Sequence, residues 1–183
     1  MNDIADINWL YETYYKDNPV LKKIVLKHSR MVARKALEIA KAKSLDLDPR
    51  DIFCAALLHD IGVIECYAPS IHADGHLPYL QHGIAGKTIL ERHGLSKYAR
   101  VCERHTGSGI SMKEIIDNKL PLPPKDMLPE TQLEKLICYA DKFYSKSKEL
   151  EQEKTIDQIR NQIKKFGSES LKRFEELHSL FSL

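Results

Sequence analysis

Histidines and aspartates recur on segments that otherwise read as apolar helix: His28, His59, Asp60, His82, His105 and Asp141. The adjacent pair His59-Asp60 is the sharpest case, because it follows the apolar run Ile52-Phe53-Cys54-Ala55-Ala56-Leu57-Leu58. Burying an unpaired carboxylate there is penalised heavily. A bound metal ion relieves that penalty, so metal chemistry is the first expectation. Each residue alone has a plainer reading: a lone histidine on an apolar helix is more often a satisfied core residue, and Asp141 alone could be a buried cap or salt-bridge group. Imidazole nitrogen with carboxylate oxygen suits manganese, iron, cobalt, nickel or zinc, and no cysteine stands at ligand spacing to favour a structural zinc.

The elements that must position these residues are helices, because glycine is scarce and long stretches carry helical periodicity. A first helix is expected over residues 4–17, ended by Asp17-Asn18-Pro19, and a second over 19–43. The second has an apolar stripe, Leu21, Ile24, Val25, His28, Met31, Val32, Ala36 and Ile39, with His28 on the buried face. Asp48-Pro49 starts a third helix that reaches His59-Asp60, with Gly62 able to end it. Residues 63–77 read as a loop over the site, and helices follow at about 78–93 and 96–106. Ser111-Met112-Lys113-Glu114 and Thr131-Gln132-Leu133-Glu134 are capping boxes that open two further helices. Pro121, Pro123, Pro124 and Pro129 make the connection between them extended. A last helix, about 155–181 with an interruption at Gly167-Ser168, reads as scaffold or partner surface.

Taken in order, H…HD…H…H…D resembles the HD-domain superfamily of metal-dependent phosphohydrolases, in particular its members with the HDIG signature that residues 59–62 carry, over about residues 24–145. The flanks Gln81-His82-Gly83, Arg104-His105-Thr106-Gly107 and Tyr139-Ala140-Asp141-Lys142 are similar to the family's ligand segments. The resemblance implies an all-α HD-type bundle, a single domain over 1–183 with a metal-binding core at about 20–147 and the C-terminal helix beyond it. It implies that His28, His59, Asp60 and Asp141 hold one metal, with Asp60 bridging to a second completed by His82 and His105. One or two divalent transition metals (Fe, Mn, Co, Ni or Zn) are expected, two being favoured. Two metals roughly 3.5–4 Å apart can deprotonate a water near neutral pH and stabilise charge on phosphoryl oxygens. The expected activity is hydrolysis of a small, nucleotide-like phosphate ester, a monoester or a diester.

Departures narrow this. Alarmone hydrolases of the superfamily carry an acidic pair soon after the HD dipeptide, where this chain has Val63-Ile64, with Glu65 one step late. The GYP signature of the cyclic-dinucleotide phosphodiesterases is absent. Two alternatives use the same residues: a di-iron oxygenase of the superfamily, or a non-catalytic nucleotide-binding module.

A phosphate substrate also needs cations. Lys87, Arg104 and Lys142 lie near ligand positions in sequence and are candidates to reach it. His72 and His76 on the loop are candidates for a proton donor or a gate. Gly83, Gly86, Gly107 and Gly109 are better explained by packing and turns than by a phosphate cradle.

With 183 residues, 43% hydrophobic and 30% charged, the chain has the make-up of one soluble globular domain, and a net charge of +2 gives no nucleic-acid or membrane signal. No apolar run approaches a membrane span, the N-terminus has no signal-peptide pattern, and Cys54, Cys66, Cys102 and Cys138 form no Cys-x-x-Cys. A cytoplasmic protein acting on a small molecule is expected, with assembly into a homo-oligomer left open.

Overall fold

The computed structural model describes residues 3–146 and 152–183, with side chains from Ile7 onward; Met1, Asn2, the side chain of Ile4 and position 147 of the expected core lie outside the described residues. Helix α1 spans Asp3–Tyr14 and α2 Pro19–Ala42. The Asn18 side chain caps α2 by accepting from the Leu21 backbone N–H, with Pro19 in the first turn. Leu21, Val25, His28, Val32, Ala36 and Ile39 are buried, so one helical stripe faces the core along the whole of α2 and carries His28 inward.

Helix α3, Pro49–Leu58, is capped by Asp48 and stops just before the His59-Asp60 pair. A 3-10 turn follows over Ile61–Glu65. Gly62 does not end α3 through a left-handed backbone, since its φ is not among the positive values. Its role is close approach: a Cβ there would lie 2.1 Å from Gly86 N and 2.2 Å from His82 O. The expected loop over 63–77 is instead a small sheet of β1 (Cys66–Ala68), β2 (Ala73–Asp74) and β3 (Leu77–Pro78), with β1 central. Tyr67 opposes Asp74 in the antiparallel pair and Cys66 opposes Leu77 in the parallel one. Strands of two or three residues are too short to display a period, which is why they read as loop.

Helices α4 (His82–Arg92) and α5 (Ser96–Arg104) pack through glycine, a Cβ on Gly83 being placed 2.5 Å from Cys102 O. Both capping boxes form, opening α6 (Met112–Asp117) and α7 (Gln132–Asp141). The proline-rich connection between them is held by reciprocal backbone bonds between Ile110 and Met127. The single C-terminal helix expected from the sequence is two, α8 (Ile156–Ile163) and α9 (Ser168–Phe181), broken at Gly167, whose φ of 108° favours glycine. Phe174 and Phe181 of α9 pack on Tyr139 of α7, with ring centroids 5.9 and 5.8 Å apart. Residues buried from α1 to α9 join one hydrophobic cluster. The fold is helical, and among the described residues no helix is long and apolar enough to cross a membrane.

Candidate metal centre

The structure brings together six residues that lie in, or directly follow, five helices. His28 projects from the middle of α2, His59 and Asp60 follow the end of α3, His82 opens α4, His105 follows α5, and Asp141 closes α7. Ligand atoms of His28, His59, Asp60 and Asp141 lie within 4.8 Å of one another, and so do those of Asp60, His82 and His105. Asp60 belongs to both groups through different oxygens. Its Oδ2 is 3.3 Å from His28 Nε2 and 2.9 Å from His59 Nε2, whereas its Oδ1 is 3.5 Å from both His82 Nε2 and His105 Nε2. Asp141 Oδ1 closes the first group, 2.9 Å from His28 Nε2 and 3.4 Å from His59 Nε2.

The backbone orients three of the four imidazoles. Nδ1–H of His59 donates to Ala56 O at 2.7 Å, that of His82 to Tyr79 O at 2.7 Å, and that of His105 to Cys102 O at 2.8 Å. A carbonyl can only accept, so Nδ1 carries the proton and Nε2 is turned to the cluster, the arrangement typical of metal-binding histidine. The Nε2 atoms of His82 and His105 face each other at 3.0 Å. Two such lone pairs repel unless a proton or a cation lies against them.

Electrostatics point the same way. His59, Asp60 and His105 are buried; Asp60 Oδ1 lacks a hydrogen bond, and Oδ2 is met by the Lys146 ammonium at 2.6 Å. Burial, then the neighbouring His105, hold His82 down to about 3, and burial likewise lowers His105. Burial disfavours charge on His59, but Asp60 and Asp141 outweigh it and raise that imidazole to about 9. Burial also opposes ionisation of Asp60, yet His59 and Lys146 hold its carboxyl well below the usual range. For Asp141, burial is outweighed by Lys142, His28 and His59, with the same result. A buried carboxylate facing several imidazoles, with His82 and His105 held neutral, fits a divalent metal.

A cavity of about 830 Å³ opens beside the cluster. Tyr79, His82, Asp141, Lys142 and Lys146 form its wall at the cluster, and Ile110, Leu120, Ile159, Ile163 and Phe166 contribute apolar surface elsewhere. The C-terminal segment expected as scaffold therefore has a second role, because α8 walls this cavity.

The candidates for phosphate contact divide. Lys142 lines the cavity, with Nζ donating to Asp141 Oδ2 at 2.7 Å and to His105 O at 3.1 Å. Lys87 does not line it: its Nζ donates to Glu103 Oε1 at 2.9 Å, a carboxylate shared with Lys125. Arg104 is likewise absent from the lining, with Nη1 2.6 Å from Glu130 Oε1 and donating to Leu128 O at 2.9 Å. Helix geometry explains both, since neighbours on a helix point about 100° apart and residues five apart about 140°. Nearness in sequence to His82 or His105 is therefore not nearness to the site. His72 and His76 are exposed and outside the lining as well. His72 sits at φ 62°, with its carbonyl accepting from Asn18 Nδ2, and His76 N–H donates to Glu65 O. Neither belongs to the metal-capable groups found among the described residues.

Lys146 was not among the expected residues. Its Nζ lies 2.6 Å from Asp60 Oδ2, five positions beyond Asp141 and past the end of α7. No helical spacing relates Lys146 to Asp141; only the chain path after α7 brings it in. Tyr79 was missed for a similar reason: its ring stacks on His82 at 4.9 Å from the preceding 3-10 turn.

Comparison with known proteins places these residues in a family context. The family model described as HD domain matches residues 25–145. An uncharacterised protein of Methanocaldococcus jannaschii is 36% identical over 146 residues, 78% of this chain and 75% of that protein. Proteins named tRNA (cytidine(56)-2'-O)-methyltransferase from Thermoplasma volcanium and Picrophilus torridus are 30% and 31% identical over 86% and 87% of this chain. The chain spans only 42% of the length of each methyltransferase. No solved structure matches significantly.

Proposed function

Because the chain belongs to the HD-domain family, we propose that residues 1–183 form one domain that hydrolyses a small, nucleotide-like phosphate ester in the cytoplasm by metal-dependent chemistry. The observation that carries this reading is the division of Asp60, with Oδ2 turned to His28 and His59 and Oδ1 to His82 and His105. One carboxylate serving two sets of imidazoles suits two ions of the Mn, Fe, Co, Ni or Zn type. Bound ions would supply a nucleophilic water and neutralise charge on the phosphoryl oxygens. The chain's own residues hold and orient. Ala56, Tyr79 and Cys102 carbonyls fix three imidazoles, Asp141 closes the first site, and Lys142 offers a cation at the cavity wall.

The cavity gives the body of the substrate an apolar wall beside the polar cluster. A nucleotide-like ester also accords with the two relatives named for an activity on tRNA. Methyl transfer is not carried over, because this chain spans 42% of those proteins.

Metal analysis and a phosphate-release screen over nucleotides, with added Mn²⁺ and with and without oxygen, test the proposal. Oxygen-independent phosphate release is expected, and Asp60→Ala abolishes both metal content and turnover. Turnover that requires oxygen sinks the hydrolase reading in favour of a di-iron oxygenase. Metal or nucleotide binding without turnover sinks it in favour of a binding module.

A further inference from the structure

Four lysines line the cavity, Lys142, Lys146, Lys154 and Lys165, and the first two meet carboxylates of the cluster. Lys142 Nζ is 2.7 Å from Asp141 Oδ2, and Lys146 Nζ is 2.6 Å from Asp60 Oδ2. Lys154 donates to Tyr144 O at 3.3 Å, and its pKa is lowered by burial and by the charges of Lys142 and Lys146. The carboxylates facing two of these ammoniums are the ones the proposed metals need.

Asp60 Oδ2 is therefore contested. His28 and His59 Nε2 converge on it from one group, and the Lys146 ammonium contacts it directly. A divalent ion bonds a carboxylate oxygen at about 2.0–2.2 Å, so an ammonium on the same oxygen faces strong like-charge repulsion in a buried site. The lysine stem is flexible. Lys146 already lines the cavity, with Nζ 6.0 Å from the centre of the Tyr79 ring, so its head has open space next to the cluster.

We propose that Lys146 is a cation with two positions: it neutralises Asp60 until a divalent ion takes that carboxylate, and then turns into the cavity to bind the phosphoryl group of the substrate. The idea rests on the metal-dependent reading above and adds to it a substrate-binding residue and a coupling. Metal binding frees a positive charge in the cavity, and an anion held by that charge opposes its return to Asp60. Metal and phosphate consequently tighten one another, by the same factor in each direction. A wall with Lys142, Lys146 and Lys154 together favours a dianionic phosphomonoester over a monoanionic diester.

Calorimetric titration of Mn²⁺ into the full chain, with and without inorganic phosphate, tests this on wild type, Lys146→Met and Lys146→Arg, each first checked for folding by circular dichroism. In wild type, phosphate should tighten Mn²⁺ binding at least about fivefold, within the usual range of coupling between sites. Lys146→Met should bind Mn²⁺ more tightly than wild type without phosphate, because the competitor is gone, and should lose the enhancement. Lys146→Arg keeps the charge and should retain the enhancement. If Lys146→Met binds Mn²⁺ as wild type does and is enhanced equally by phosphate, the role of Lys146 is wrong and the metal site stands. If Lys146→Met does not fold, loss of the enhancement in Lys146→Arg overturns that role in its place. Dimethyl phosphate enhancing as strongly as inorganic phosphate would remove the monoester preference. Wild type that binds no Mn²⁺ overturns both this inference and the metal-dependent reading.

Discussion

At the scale of single residues, the centre is organised by which atom of each side chain is already committed. Nδ1 of His59, His82 and His105 is occupied by a main-chain carbonyl, so Nε2 is the atom left for chemistry. Asp60 then links two groups that differ in composition: His28, His59 and Asp141 on one side, His82 and His105 on the other. That difference predicts unequal consequences of mutation. His82→Ala should remove one of two bound metals and leave the first, whereas Asp60→Ala should remove both, and metal-to-protein ratios by elemental analysis check it. Equal loss in the two variants would contradict the division of Asp60. The six clustered residues were readable from the sequence because each interrupts an apolar helical stretch and because their order matches a family. Lys146 was not readable, since it follows α7 on non-helical chain and is brought to Asp60 by tertiary path alone.

At the scale of elements, the clustered residues are placed by close contacts. The 3-10 turn after Asp60 meets the first turn of α4, and the missing side chain of Gly62 permits it, a Cβ there lying 2.1 Å from Gly86 N. Overpacking of this kind costs about 1–3 kcal/mol or more when backbone must move. Gly62→Ala should therefore lower stability in urea by at least that range and weaken Mn²⁺ binding, because the displaced segments carry Asp60 and His82. Unchanged urea midpoints would show that the turn can yield. A second joint is Glu114 of α6, which accepts from Arg173 Nη2 of α9 at 2.7 Å and from Ser111 N–H at 2.8 Å. Burial disfavours the charged form of Glu114, but Arg173 and Ser111 outweigh it and lower its pKa. A depressed folded pKa contributes stability that is fully present above the unfolded value, about 4.3, and lost as pH falls through the folded value. Glu114→Gln should cost about 1–2 kcal/mol near pH 7, the scale of a charge-assisted hydrogen bond with some exposure. The gap from wild type should hold to about pH 5 and narrow as pH falls below the unfolded value, about 4.3, in denaturation measured across pH. What was legible at this scale was local. The Asp48 cap of α3 and the boxes opening α6 and α7 depend on residues three apart or fewer. Gly62 depends on a distant partner and the strands of the sheet are too short to show a period, so the sequence suggested a helix stop and a loop instead.

At the scale of the whole molecule, the candidate ligands come from α2, α4, α7 and the chain just beyond α3 and α5, so an ion at the cluster joins segments from residue 28 to residue 141. Such an ion binds the folded chain and has no comparable site in the unfolded one. It therefore stabilises the fold by mass action, about 2.7 kcal/mol when free metal is a hundred times its dissociation constant. The buried carboxylate sharpens the effect: Asp60 is fully buried with Oδ1 lacking a hydrogen bond, and a metal adds counter-charge beside it. Wild-type protein loaded with Mn²⁺ should accordingly melt several degrees higher than the same protein in chelator, about 2–4 °C for each kcal/mol in a chain of this size. Asp60→Ala should melt at one temperature in both conditions. A metal-dependent rise that persists in Asp60→Ala would place the stabilising ion elsewhere on the surface, and the six-residue cluster would then lose its claim to join the helices through a shared ion.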